Sequence, residues 1–75
     1  MNYQKNTTIY YQPNGKTICG IHKHDPDTWN FIESTWFNKD GKTINCITEY
    51  NPKTEEPIKE TYYNSDGTIK EVKTY

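Results

Sequence analysis

The sequence predicts an all-β fold: an antiparallel six-stranded meander, laid out as a single-layer sheet and built from three hairpin repeats of about 26 residues. Three observations predict it. Gly15, Gly41 and Gly67 lie 26 residues apart, and each closes a similar turn: QPNG, NKDG and NSDG. Thr, Ile and Tyr abound while Ala and Leu are absent, a bias toward strands. No segment carries the 3.6-residue apolar period of an amphipathic helix.

The flanks repeat with the turns. Residues 9–34 set over 35–60 match at eight of 26 positions, including GKTI at 15–18 and 41–44, Ile21 with Ile47, and Pro26 with Pro52. A fixed period means one supersecondary unit copied along the chain. The units are 9–34, 35–60 and 61–75, preceded by a partial unit over 1–8, all in a single domain covering 1–75. Repetition builds extended surfaces more readily than one asymmetric site, which weighs against an enzyme.

Taken in order, each unit reads as strand, tight turn, strand, second connector. Strands are expected near 6–12, 17–24, 30–38, 43–50, 57–64 and 68–75. Asn38-Lys39-Asp40-Gly41 suits a type I turn followed by a left-handed Gly and a bulge. Gln12-Pro13-Asn14-Gly15 fits the same template, with Pro pre-setting φ. The third unit has GTI where the others have GKTI, so its hairpin is expected to shorten to a two-residue turn over Asp66-Gly67. Asp25-Pro26-Asp27-Thr28 and Asn51-Pro52-Lys53-Thr54 start the second connectors. Strands joined only by such short loops pair antiparallel, in sequence order.

Alternation divides the side chains between two faces. Pairing Tyr10 with Ile18 and Trp36 with Ile44 puts Tyr10, Ile18, Ile32, Trp36, Ile44, Tyr50, Ile58, Tyr62, Ile69 and Tyr75 on one of them. The other carries Ile9, Tyr11, Ile21, Phe31, Phe37, Ile47, Tyr63 and Val72 among polar residues. One such face stays uncovered in a single layer, and an apolar surface of that size marks an interaction site.

Composition narrows the function. Net charge is −1 with signs interspersed, so no basic stripe exists to hold nucleic acid. No apolar run is long enough for membrane insertion. Cys19 and Cys46 are not repeat-equivalent; they are expected on opposite faces, about 10 Å apart from strand spacing alone, and free. His22 and His24 alternate on one strand and could offer two zinc ligands, but Thr48 and Tyr50 replace them in the second unit, so no metal site is assigned. Cys19 and His22, three apart on a strand, face opposite ways and make a poor nucleophile–base pair. Glu33, Glu55, Glu56 and Glu60 lack the cleft that acid–base work needs. No catalytic residue and no cofactor is expected.

The aromatics are the constellation that stands out. Tyr10, Trp36 and Tyr62 form a ladder on alternate strands, able to pack the domain, pair two copies, or stack on sugar rings. Trp29, Phe31, Phe37, Tyr11 and Tyr63 are the protein-binding candidates, since Tyr and Trp dominate interface hot spots. Trp29 is singled out because packing rarely explains an aromatic in a loop.

Trp36-Phe37-Asn38-Lys39-Asp40-Gly41-Lys42-Thr43-Ile44 and Tyr50-Asn51-Pro52-Lys53-Thr54 resemble a tandem β-hairpin repeat family of unknown function found in phytoplasma proteins. The likeness covers residues 8–75, with distant similarity to MORN-like repeats of YwqK-type antitoxins and to YD repeats of bacterial toxins. The resemblance implies a secreted protein of a plant-pathogenic mollicute, acting inside a host cell, with a cytoplasmic location as the alternative. In the family pattern a Gly often follows NPxT, where this chain has Trp29 and Glu55, so the second connector is expected to be more open. The function expected is a non-enzymatic protein-binding module, an effector that meets a host protein through aromatic faces or edge strands. The alternatives are a self-associating structural repeat, including a homodimer, and a carbohydrate-binding module.

Overall fold

A computed structural model describes residues 6–75. Six strands follow one another: β1 (Thr7–Tyr11), β2 (Ile18–His24), β3 (Phe31–Phe37), β4 (Ile44–Tyr50), β5 (Pro57–Tyr63) and β6 (Ile69–Thr74). They pair antiparallel in the order β1-β2-β3-β4-β5-β6, as one open sheet. There is no helix among the described residues. This is the all-β meander that turn spacing and composition predict. Residues 1–5 of the expected partial unit lie outside the described residues.

The hairpin turns explain the NxDGKT pattern atom by atom. In the second unit the Gly41 N–H donates to the Asn38 carbonyl at 3.0 Å, and the Asn38 N–H donates to the Thr43 carbonyl at 2.9 Å. Asp40 Oδ1 accepts the N–H groups of Lys42 and Thr43 at 2.8 and 2.9 Å. Those donors have no strand partner, so the carboxylate replaces the ladder there. They also hold the Asp40 pKa below its ordinary value, the Lys42 and Thr43 backbone bonds being the largest causes. Gly41 has φ +69°, a conformation that side chains with a Cβ rarely adopt.

The third hairpin departs from expectation. Asn64 and Thr68 close it, through an N–H to carbonyl bond of 2.8 Å. Its loop is therefore Ser65-Asp66-Gly67, three residues rather than two. A type I turn with a left-handed Gly needs that third residue, and Gly67 supplies it at φ +90°. The loop is still one shorter than its relatives, with a visible effect. A Cβ on Gly41 would lie 2.5 Å from Thr17 Cγ2, and Gln12 Nε2 donates to the Lys39 carbonyl at 3.0 Å, so the first two tips lean together. A Cβ on Gly67 would meet nothing within 4 Å. A shallow pocket opens there instead, lined by Lys42, Thr43, Ile44, Tyr63, Ser65, Asp66 and Gly67.

The second connectors are closed, not open. Asp25 N–H donates to the Asn30 carbonyl and Trp29 N–H to the Asp25 carbonyl, at 2.8 and 2.7 Å. Asn51, Glu55 and Glu56 repeat both bonds at 2.8 Å. Closure requires a left-handed residue in fourth position. Trp29 and Glu55 take it without being Gly, at φ 64° and 63°.

The register corrects the expected faces. Tyr10 lies opposite Gly20, not Ile18, and Trp36 opposite Cys46, not Ile44. Cys19, Asn45 and Lys70 are extra residues without partners, one-residue bulges just past each hairpin. Each bulge shifts the alternation by one place. Ile18, Ile44 and Ile69 therefore pair with Tyr11, Phe37 and Tyr63. Bulges at Ile32 and Ile58 do the same beside the connectors. They carry Phe31 to the opposite face from Phe37, stacked on the His22 ring.

One face thus becomes polar and aromatic. Across it run a row of Thr8, His22, Ser34, Thr48, Glu60 and Lys73 and a row of Tyr10, Gly20, Trp36, Cys46, Tyr62 and Glu71. The other face is aliphatic. Its central row is Ile9, Ile21, Thr35, Ile47, Thr61 and Val72, beside the Tyr11–Ile18, Phe37–Ile44 and Tyr63–Ile69 pairs. Among the described residues no hydrophobic side chain is buried, whereas His22, Ser34, Thr48 and Thr61 are. The sheet is held by cross-strand pairs and turn bonds, without a second layer.

Trp36 supplies the closest packing on the polar-aromatic face. A Cβ built on Gly20 would fall 2.5 Å from Trp36 Cε3 and 2.6 Å from Cζ3, so the indole rests on bare backbone. Gly20→Ala should push the indole off and destabilise the fold by roughly 1–3 kcal/mol, the usual cost of overpacking. Chemical denaturation in a Trp29→Phe background, where Trp36 alone fluoresces, checks it. The expected result is a lower midpoint with red-shifted native emission; an unshifted spectrum at unchanged stability would contradict the packing.

Candidate functional site

His22 sits at the centre of the polar-aromatic face. Its ring stacks on Phe31 at 4.6 Å and meets the edges of Tyr10 at 4.9 Å and Trp36 at 5.1 Å. Nδ1 lies 2.5 Å from Ser34 Oγ, whose hydroxyl is 3.2 Å from the Tyr50 hydroxyl. Ser34 is completely buried. Burial, and secondarily the charge of His24, pushes the His22 pKa below 6.5. Within the fold Nδ1 is its hydrogen-bonded nitrogen, held by Ser34.

His24 is engaged differently. Thr8 Oγ1 lies 3.1 Å from Nε2 and the Trp29 carbonyl 3.0 Å from Nδ1, with both ring nitrogens thus occupied. Trp29 and Phe31 flank the ring at 5.6 and 5.0 Å. Among the described residues no three His, Cys, Asp or Glu side chains converge to hold a metal ion. Cys19 and Cys46 are free and half-buried, Cys19 being itself the first bulge residue. At the far side Glu60 accepts hydrogen bonds from Tyr75 at 2.5 Å and Tyr62 at 3.1 Å. The Tyr75 bond, then the Tyr62 bond, hold its pKa down, while the Tyr75 phenol is pushed up to about 12.

The expected ladder of Tyr10, Trp36 and Tyr62 does share one row. Its rings are engaged, however: Trp36 on Gly20, Tyr10 against His22, and Tyr62 under the Lys73 ammonium at 5.5 Å. The protein-binding candidates separate into two groups. Tyr11, Phe37 and Tyr63 line up on the aliphatic face with Ile18, Ile44 and Ile69. Trp29 and Phe31 gather on the other side around His24. Alternation places Ile9, Ile21 and Ile47 on this face correctly, and Ile18, Ile44 and Ile69 on the opposite one. The signal that finds them is spacing: Ile18 and Ile21, Ile44 and Ile47, Ile69 and Val72 are three apart, and share a face only across a bulge.

A family model described as "Protein of unknown function (DUF2963)" matches residues 2–36, 11–62 and 37–75. The chain belongs to this family. The three matches overlap along the chain, as expected of family members built from a repeat. No curated protein matches the chain.

Two features of this family member carry energetic consequences. The first is Trp29, 56% exposed and left-handed, in a position where Gly would cost nothing. The strain belongs to the connector rather than to the indole, since Glu55 carries it at the same place in the second unit. Trp29→Gly should raise folding stability by roughly 1 kcal/mol, the cost of a left-handed residue with a Cβ, less what its contact with His24 contributes. Urea melts of the two proteins test the sign, and a large loss of stability would place Trp29 among the structural residues.

The second is His22. Its folded pKa lies below the unfolded value, so the unfolded chain binds more protons between the two. The contribution is complete above 6.5 and is lost as pH falls from there through the folded pKa. Melting temperature should fall as pH drops below 6.5, and His22→Phe should flatten most of that slope. Thermal melts across the range check it; an equal slope in the variant would contradict it.

Proposed function

We propose that this chain is a non-enzymatic module that binds a protein partner across its aliphatic face. The observation that carries the reading is the coincidence of two facts: no hydrophobic side chain among the described residues is buried, yet two adjoining apolar rows cross the sheet. Five strand gaps of about 4.8 Å make those rows roughly 24 Å wide. Monomeric proteins rarely leave so continuous an apolar surface open. Tyr11 and Ile69, 55% and 60% exposed, are among its least covered members. The rim is mixed in charge: Lys23, Glu33, Glu49 and Lys59 lie side by side in the next row. A partner with an apolar centre and a polar edge of both signs fits this surface.

Tyr11, Phe37 and Tyr63 are the anchors in this reading, one per unit, so the partner meets a repeated motif. The sugar-stacking alternative is weaker, because the Tyr10, Trp36 and Tyr62 rings are already occupied. The resemblance to phytoplasma repeats extends the proposal to an exported effector that meets a host protein. Binding by faces needs no catalytic residue.

Capture from plant or insect extract tests it, provided the captured protein is then measured against variants. Removing a hot-spot aromatic costs about 2 kcal/mol, roughly a 30-fold weaker Kd. Phe37→Ala and Tyr63→Ala should each weaken the partner by that order while Trp29→Ala leaves it unchanged. Binding that survives both and fails with Trp29→Ala would move the site to the opposite side.

A further inference from the structure

We propose that the β6 edge of one copy of this chain pairs with the β1 edge of a second copy, head to tail, continuing the sheet. The contact is made through the two strand edges and does not depend on the reading given to the aliphatic face.

The argument starts from the repeat. β2 and β4 are equivalent to β6, and β3 and β5 are equivalent to β1. The fold therefore already contains the proposed junction twice, as β2 on β3 and β4 on β5. Ile21 lies opposite Thr35 and Lys23 opposite Glu33; Ile47 lies opposite Thr61 and Glu49 opposite Lys59. Transposed to the edges, that register sets Val72 against Ile9 and Thr74 against Thr7 of the second copy.

The backbone is oriented for it. Asn6 accepts from the His24 N–H, so Asn6, Thr8 and Tyr10 turn their peptide groups toward β2. Alternation turns those of Thr7, Ile9 and Tyr11 to the open edge. The Tyr75 N–H donates to Ile58, which leaves Val72 and Thr74 facing outward at the other edge. The outward groups on the two edges are thus the same ones that the internal junctions join.

The side chains agree as well. Val72 against Ile9 continues the central apolar row without a break, and Lys73 meets Thr8 where His22 meets Ser34 internally. One pair differs. Glu71 would lie beside Tyr10, where the internal junctions set Gly20 and Cys46 beside Trp36 and Tyr62. Both edge residues are exposed, so the Tyr10 ring can lie along the glutamate stem. The β1 edge also lacks the usual guards: Thr7–Tyr11 carries no charge and no Pro, the devices that keep natural edges from pairing.

Such an interface is heterologous, so copies add head to tail beyond a dimer, into an open filament or a ring. Light scattering across a concentration series should show the wild-type mass climbing past that of a dimer. Ile9→Pro removes an outward donor at one edge, and Val72→Pro does so at the other. Pro is tolerated at such edge positions. Each variant alone should be monomeric, because one of its two edges is dead. Mixed in equal amounts they should form a dimer and nothing larger, through the one live edge of each. Circular dichroism confirms that the variants remain folded, and Thr7→Pro with Thr74→Pro repeats the scheme nearer the strand ends. A wild-type chain monomeric at every concentration would overturn the proposal. So would variants that associate alone as the wild type does, which would assign association to a face. Phe37→Ala leaves both edges intact and should not alter the mass series, separating this test from that of the face.

Discussion

Cys19, Asn45 and Lys70 have no residue opposite them, and each turns the rest of its strand by one place. Under strict alternation Ile18 and Ile21 would stand on opposite faces, as would Ile44 and Ile47, and Ile69 and Val72. Both faces would then be patchwork, half apolar and half polar. The surplus residue gathers the isoleucines on one side and leaves the other to His22, Ser34, Thr48 and Glu60. A coherent apolar surface exists because three residues were inserted where the ladder needed none.

The same device explains how so thin a structure holds together. With no second layer, burial per residue is small, and stability must come from neighbours within the sheet. The polar row answers this by packing rings over short side chains, Phe31 and Trp36 over His22, and the indole over Gly20. The turns answer it through Asn14, Asp40 and Asp66, whose oxygens take up N–H groups that the ladder drops. The Lys23–Glu33 pair, at 3.9 Å and well exposed, adds little. The opposed Glu33 and Glu49 are a cross-strand repulsion that Lys23 and Lys59, on either side, moderate.

Much of the fold was legible in the residues. Glycines at a fixed period, each preceded by an Asx or Pro, announce hairpins, and short loops dictate meander order. The shared row of Tyr10, Trp36 and Tyr62 was legible too, because equivalent positions in a repeat keep equivalent faces. What escaped was whatever alternation cannot express. A bulge adds a residue without adding a turn signal, so Phe31 and the hairpin isoleucines were placed on the wrong sides. The connectors escaped for a different reason. A left-handed conformation is read from Gly, and Trp29 and Glu55 adopt it under compulsion from the bonds around them. The absence of Gly there pointed instead to an open connector.

The third tip repays a last consideration. Three copies of one unit make a ribbon on which every stretch looks like the next, and a ligand reading it could settle at several equivalent stations. Removing one lysine from the third loop ends that degeneracy. The tip no longer leans on its neighbour, and a hollow opens beside Tyr63 and Ile44, whereas between the first and second tips Thr17 packs against Gly41. A single missing residue thus gives an otherwise periodic object a landmark.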